Sequence, residues 1–351
     1  MVLDIFSSVL FLLAGVGVFL IGILKFSNLL QSEGNAKIKT LFQKMGNNRL
    51  VGFGVGTAAT TVIQSSTATT VIVVGLVNAG VMTLGQSTAV IFGANVGTAL
   101  SNMLLSLSAF RIKYVFMSLT FIGAFIKLVT KQERVRLHKI CDILIAFGII
   151  FVGLEIMSNA FRGSGRGAVA LRGAFETAIS ATSFPLLLIL WGFLLTAIIQ
   201  SSTAATAIFI ALAANIDMPF TAIIYLIIGT RLGTTITTLI AVIGATRNAK
   251  RAAVMHLLFN VFGTIIFLPI LWPLEGVIAP FFEGLVSDPV WQISIFSLVL
   301  NLATAIVLLA FIHPMNKLVY LIVRDKPEQI SIEEIQKHDE HEMHHGFTDK
   351  F

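Results

Sequence analysis

The sequence predicts an all-α polytopic membrane protein with two inverted repeats, each containing a re-entrant helical hairpin, and about seven full spans. Three observations support this fold class: the composition, the recurrence of long apolar stretches and a polar motif that occurs twice. Hydrophobic residues make up 56% of the 351 residues and charged residues 12%, whereas soluble domains have about 25% charged residues. The mean hydropathy is +0.90. A soluble fold is therefore excluded.

Seven apolar stretches have about the 20 residues that a helix needs to cross the hydrocarbon core of a bilayer. The first lacks the basic start and small-residue cleavage site of a signal peptide, so we interpret it as a retained span. No segment is long and polar enough to form a second globular core. The predicted spans are residues 5–30, 84–108, 113–130, 140–161, 219–244, 252–272 and 290–312.

The predicted domain boundary follows the last span. Residues 1–312 are expected to form one transmembrane domain, and residues 313–351, which turn polar and contain the run HDEHEMHH, to form a C-terminal tail. Basic residues are concentrated in short loops on one side, so the tail is predicted to be cytoplasmic in a multi-pass protein of the plasma (inner) membrane. The net charge of +6 therefore reflects topology, and no nucleic-acid partner is expected.

Two further segments, about 51–80 and 184–215, are apolar at their ends and polar in the middle. Such a centre is costly in contact with lipid, so it should face protein or water. Each segment has about thirty residues, more than one crossing needs, which favours a helix–break–helix hairpin that enters and leaves on one side. Single crossings satisfy the positive-inside rule equally well and would make the repeat parallel, so charge alone leaves both arrangements open.

An internal repeat is the strongest feature of the sequence. QSSTATT at 64–70 recurs as QSSTAAT at 200–206, and at the same offset of 136 residues GANVGT at 93–98 aligns with GTRLGT at 229–234. The repeats extend over about 51–130 and 184–272. With hairpins, three spans separate the two motifs and the second copy is inverted. Repeated halves are typical of secondary transporters, whose substrate sites lie near mid-membrane where the halves meet.

The QSST motifs suit the binding of an anion together with a cation. A helix that starts inside the membrane exposes up to four backbone N–H groups and the positive end of its dipole, which favour anions. Ser and Thr hydroxyls add donors. Carbonyl groups freed at the end of the preceding helix, and side-chain oxygens nearby, suit a hard cation such as sodium.

Arg231 takes the register position of Asn95 within a predicted span. A guanidinium at mid-membrane costs a few kcal/mol even on the mildest scale, so it needs a partner. The candidates are a carboxylate, for which Glu155 in the 140–161 span is the remaining possibility, backbone carbonyls, or a bound anion. Asp217 is too far along the same helix, about 21 Å at a rise of 1.5 Å per residue.

The two motif pairs, together with the run HLLFN at 256–260, resemble the type II sodium-phosphate cotransporter family and its bacterial relatives. The match runs from about Gly52 to Gly263, and the paired QSS motifs are far more specific than a GxxxG pattern. The resemblance implies an inverted-repeat fold with two re-entrant hairpins, phosphate bound between the QSS motifs and sodium bound by neighbouring polar residues. We expect a bacterial member without the PhoU-like domain that many relatives carry.

Anion chemistry and the resemblance together define the candidate site residues. No catalytic residue, no metal other than sodium and no cofactor are expected. The candidates for substrate binding are Gln64, Ser65, Ser66, Thr67, Gln200, Ser201, Ser202, Thr203 and Arg231, and those for sodium binding are Gln64, Thr67, Asn95, Thr98, Gln200, Thr203, Thr234 and Asn260.

Three departures from the family pattern bear on the number of coupled cations. Arg231 stands where family members commonly have a second Asn. His256 and Asn260 have no counterpart in the first repeat, and residues 106–113 lack the acidic residue of the electrogenic animal members.

The function predicted for residues 1–312 is sodium-dependent transport of inorganic phosphate by alternating access. Transport of another oxyanion such as sulfate, and a phosphate sensor that moves nothing, are the alternatives. An intramembrane enzyme with Ser65 or Ser201 as nucleophile is disfavoured, because the hairpins contain no His or Lys as base and the chain has no GxSxG or HExxH motif. The expected partners are phosphate, sodium and the bilayer, and a homodimer is kept open. Flux direction is not encoded.

Overall fold

The computed structural model describes residues 2–44, 48–79, 81–162, 164–180 and 184–324, and all regular elements in these ranges are helical. The all-α fold class is thereby confirmed. The α-helices are α1 Val2–Lys44, α2 Arg49–Ile63, α3 Ser66–Asn78, α4 Leu84–Ser106, α5 Lys113–Val129, α6 Val135–Arg162, α7 Arg166–Ser180, α8 Pro185–Ile199, α9 Ser202–Ala213, α10 Phe220–Ala241, α11 Arg247–Leu271, α12 Glu275–Leu285, α13 Pro289–Ala310 and α14 Ile312–Ile322.

Six described helices are long and apolar enough to cross a membrane: α1, α4, α6, α10, α11 and α13. They coincide with six of the seven predicted spans, so the polytopic character is confirmed. The remaining predicted span, 113–130, forms α5, which has only 17 residues. Its helix ends because Thr130 adopts an extended backbone (φ −108°, ψ 146°) and its amide closes the last turn on the carbonyl of Ile126.

Both polar-centred segments break at the same residue of the QSST motif. Gln64 adopts a left-handed backbone (φ 60°, ψ 20°) and Ser65 an extended one (φ −151°, ψ 110°), and a new helix starts at Ser66. Gln200 (φ 58°, ψ 25°) and Ser201 (φ −149°, ψ 110°) repeat this geometry. The two glutamines are the only non-glycine residues with positive φ in the described part of the chain. Each motif thus ends one helix and begins another.

The first broken segment folds back on itself. The Thr60 hydroxyl donates a hydrogen bond to the Thr69 hydroxyl at 2.9 Å, although nine residues of a continuous helix would separate the two by about 13 Å along the axis. Helices α8 and α9 of the second segment also contact each other. The contacts have the form of a helical hairpin, while entry and exit on one side of a membrane stay a prediction.

Close packing between helices also repeats at the offset of 136 residues. A Cβ on Gly93 of α4 would lie 2.0 Å from the carbonyl oxygen of Phe53 in α2, and a Cβ on Gly229 of α10 would lie 2.1 Å from that of Ile189 in α8. Only glycine permits such a backbone approach. The glycines of the second motif pair therefore hold each broken segment against the long helix that follows it.

Helix α14 follows the boundary predicted at residue 312 and packs on the bundle. The Thr88 hydroxyl of α4 donates to the side-chain oxygen of Asn316 at 2.8 Å. Arg251 of α11 donates to the carbonyl of Val323 through Nε at 3.2 Å and Nη2 at 3.1 Å. The rest of the predicted tail, including HDEHEMHH, lies outside the described residues.

Candidate functional site

A small polar cavity of about 30 Å³ lies where both broken segments approach α4, α10, α11 and α13. Its size suits one or two water molecules, so a tetrahedral oxyanion requires this conformation to widen. All lining residues except Ala99 carry polar side chains. They are Ser66, Asn95, Thr98, Ala99, Asn102, Ser202, Thr206, Thr230, Arg231, Thr234, Asn260, Ser297 and Asn301.

The first residues of the two inner helices meet at this cavity. Ser66 begins α3 and Ser202 begins α9, and both line it. Each helix is capped by the preceding serine: the Ser65 hydroxyl accepts from the amide of Ala68 at 3.1 Å, and the Ser201 hydroxyl accepts from the amide of Ala204 at 3.2 Å. Capping uses one of the up to four free N–H groups of a helix start. Two helix N-termini are thus directed at one polar space.

The predicted site residues divide into two groups. Ser66, Ser202, Asn95, Thr98, Arg231, Thr234 and Asn260 line the cavity. The Gln64 side chain instead donates to the carbonyl of Thr61, and Gln200 is exposed. Gln64, Ser65, Thr67, Gln200, Ser201 and Thr203 shape or flank the breaks and do not line the cavity.

Arg231 is buried in this cavity with few partners for its charge. The side chain is 7% exposed. Its Nη2 donates to the Thr304 hydroxyl at 3.2 Å, its Cζ lies 5.7 Å from the ring centroid of Phe259, and its Nε has no hydrogen-bond partner. No carboxylate of the described residues lies within 4.0 Å of it. A buried, uncompensated cation favours an anion at the cavity.

Glu155 is not the partner of Arg231, and that alternative is wrong. The Glu155 carboxylate pairs with Lys113 at 2.7 Å and with Arg162 at 2.9 Å. It lines a separate cavity of about 500 Å³ near the C-terminal end of α9. Because two cations already compensate Glu155, its carboxylate is not available to Arg231.

A buried histidine fixes the orientation of Asn95. The Asn95 Nδ2 donates to the carbonyl of Ile91 at 2.9 Å, which leaves Oδ1 as an acceptor for His256 Nε2, also at 2.9 Å. His256 Nδ1 also forms a hydrogen bond with the Thr238 hydroxyl at 2.8 Å. These two contacts make His256 a positioning residue for Asn95 that the site prediction omitted.

Sequence reasoning also missed polar residues outside the motifs. Asn102 lies seven residues after Asn95 and therefore on the same face of α4. Ser297 and Asn301 lie one turn apart on α13, which belongs to neither repeat. Polar side chains spaced by four or seven residues in an apolar helix share one face, and this spacing could have identified these residues as candidates. The side-chain oxygens of Asn102 and Asn260 are buried without hydrogen-bond partners, so both are free to coordinate a cation.

A polar cavity between two repeated, broken helical segments inside an apolar bundle is the arrangement of a secondary transporter. The sequence profile of the Na+/Pi-cotransporter family matches residues 18–159 and 168–273. The chain belongs to this family, which confirms the resemblance. The family is one of transporters, which is not an enzyme class.

The chain is also similar to curated proteins of two bacteria. The chain is 28% identical over 321 residues to "Uncharacterized protein YqeW" of Bacillus subtilis (strain 168), covering 91% of this chain and 97% of that protein. It is 29% identical over 294 residues to "Putative inorganic phosphate export protein YjbB" of Escherichia coli (strain K12), covering 84% of this chain and 52% of that protein.

A shorter match links the chain to an animal protein. Over 135 residues it is 34% identical to "Sodium-dependent phosphate transport protein 2B" of Homo sapiens, covering 36% of this chain and 19% of that protein. The chain spans about half of the Escherichia coli relative and a fifth of the human one. No solved structure matches the chain.

Proposed function

We propose that this protein carries inorganic phosphate across the membrane together with sodium, by alternating access at the cavity between the two QSST breaks. The observation that carries the proposal is the buried guanidinium of Arg231, which has no carboxylate partner and lines the cavity with Ser66 and Ser202. Family membership and the printed names of the relatives support phosphate as the anion.

Phosphate recognition follows from the donors at this cavity. The hydroxyls of Ser66 and Ser202 and the N–H groups of two helix starts can donate to phosphate oxygens. The guanidinium of Arg231 is planar and can form two parallel hydrogen bonds to one anion. We assign Gln64, Ser65, Thr67 and their counterparts in the second motif the role of setting the break geometry or contacting phosphate once the cavity widens.

Sodium binding follows from the oxygens that the cavity presents. Asn102 and Asn260 each offer a buried side-chain oxygen without a hydrogen-bond partner. Thr98 and Thr234 line the same space at equivalent positions of the two repeats, and of the two only Thr98 belongs to the repeat that carries the neutral Asn95. Neutral oxygen ligands of this kind suit sodium, and the name of the human relative supports sodium coupling.

The small cavity supports a mechanism with more than one conformation. A site of about 30 Å³ must open to either side of the membrane to load and release phosphate. Two hairpins of inverted orientation, with the C-terminal tail in the cytoplasm, would let one site face each side in turn. The net direction of flux is then set by the summed gradients, so import and the export named for the Escherichia coli relative use the same carrier.

Proteoliposomes containing the purified full chain test the proposal. Labelled phosphate uptake should require protein and should increase when an inward sodium gradient replaces a potassium gradient. An excess of sulfate should leave phosphate uptake unchanged. Inhibition by sulfate would indicate a broader oxyanion carrier, and phosphate binding without flux would indicate a sensor; either result would contradict the proposal.

A further inference from the structure

Arg231 and Asn95 are equivalent residues of the two repeats, and both line the same cavity. They are separated by the repeat offset of 136 residues, and each lies in the long helix that packs against its broken segment. Asn95 is 7% exposed and so is Arg231. One position therefore carries a neutral amide and the other a permanent positive charge.

The neighbours of these two positions are also equivalent. Ser66 and Thr98 accompany Asn95, whereas Ser202 and Thr234 accompany Arg231, and all four line the cavity. The repeat thus presents two similar sets of neutral oxygens. They differ in charge, because only the second set contains a guanidinium.

A cation at the second set would be repelled by that guanidinium. Charges interact strongly at short range in a site with little water. Phosphate, in turn, needs positive charge beside it in such a site. At a position lined only by neutral groups, a bound sodium ion would supply this positive charge. At residue 231 the guanidinium can supply it instead.

We propose that Arg231 is a fixed counter-charge that takes the place of one coupling cation, so that each phosphate moves with one sodium fewer than it would if residue 231 were neutral. This inference rests on the proposed sodium-coupled transport of phosphate. Asn95, oriented by His256, marks the position at which a sodium ion is still bound. Arg231 is then a residue that determines ion stoichiometry as well as an anion ligand.

Proteoliposome flux with the wild type, R231N and R231K tests the inference. R231N recreates the amide of Asn95 and removes the charge, whereas R231K is the matched control that keeps the charge and loses the planar fork. R231N should show a higher Hill coefficient for sodium and one additional positive charge moved per phosphate. Its phosphate affinity should be weak at low sodium and recover at high sodium. R231K should keep the wild-type sodium dependence with a lower phosphate affinity at all sodium concentrations.

Two results would overturn the inference. A wild-type Hill coefficient and charge movement in R231N would show that the charge replaces no cation, and a raised Hill coefficient in R231K would show that the charge is not the cause. If R231N does not fold, R231Q replaces it, and the sodium dependence of phosphate binding to the purified protein is measured by calorimetry. Absence of phosphate flux in the wild type would instead refute the proposed function.

Discussion

The Thr60 hydroxyl donates to the Thr69 hydroxyl across the first helix break at 2.9 Å. At the second break the same position on α8 is Thr196, but the residue opposite it in register is Ala205. The Thr196 hydroxyl is consequently buried without a hydrogen-bond partner. The two breaks share their backbone geometry, and this polar contact is present in the first and absent from the second.

This difference predicts opposite effects of one substitution at equivalent sites. T196V removes an unsatisfied hydroxyl and keeps the shape of the side chain, so it should stabilise the protein by up to about 1–2 kcal/mol. T60V removes the hydrogen bond to Thr69, whose hydroxyl keeps its bond to the carbonyl of Ser65, and should destabilise the protein by about 1 kcal/mol. Thermal unfolding of each purified variant in the same detergent measures the sign. A lower melting temperature for T196V would contradict the assignment of an unsatisfied hydroxyl.

The two helix starts should contribute comparably to phosphate transport. S66A and S202A each remove a hydroxyl that lines the cavity, so each should lower phosphate uptake at limiting phosphate by about tenfold, as expected for one lost hydrogen bond to a charged group. The double variant should lose most uptake while keeping its elution volume in size exclusion. S65A and S201A remove the caps of the two helix starts and should cost about 1 kcal/mol of stability each. Normal uptake by S66A or by S202A would exclude a site shared by both breaks.

His256 should affect sodium more than phosphate, because it contacts Asn95 and does not line the cavity. H256L removes the donor that orients the Asn95 amide, so we expect a lower apparent sodium affinity with phosphate affinity at saturating sodium nearly unchanged. H313L is the matched control, since His313 is exposed on α14. Sodium titrations of phosphate uptake measure both constants. Equal losses in both affinities for H256L would indicate a general packing role.

Much of this arrangement could be predicted from the sequence, because it follows from patterns that membrane physics makes strict. Apolar stretches long enough to cross a bilayer indicated six of the long helices, and the polar centres of two segments indicated that they face protein. The polar centres and the repeated QSST predicted one helix break in each segment, and the structure adds its position, since Gln64 and Gln200 share one left-handed backbone conformation.

The rest depended on tertiary contacts that no local pattern encodes. Ser297 and Asn301 reach the cavity from α13, which is outside the repeats. Glu155 was a reasonable partner for Arg231 by composition alone, but Lys113 at the start of α5 pairs with it instead. Within each QSST motif, some residues face the cavity and others shape the break. Which residues do which depends on the rotation of each helix about its axis, and the sequence does not specify that rotation.

Topology provides the last prediction, because hairpins and single crossings place the ends of the two broken segments differently. If both segments are hairpins and the 17-residue α5 crosses the membrane as the sequence predicts, three crossings (α4, α5 and α6) separate them, and the loop before α4 lies on the side opposite to the loop before α10. If both are single crossings, the two loops lie on the same side.

V81C and D217C, introduced separately into a C141A background, report the sides. Val81 and Asp217 are exposed in these loops, and Cys141 is buried at 1% exposure, so its removal eliminates the only native thiol. In intact cells a membrane-impermeant maleimide should label one of the two variants, and the other should react only after permeabilisation. Labelling of both variants before permeabilisation, or of neither, would refute the inverted repeat and with it the alternating exposure of one site between two inverted hairpins.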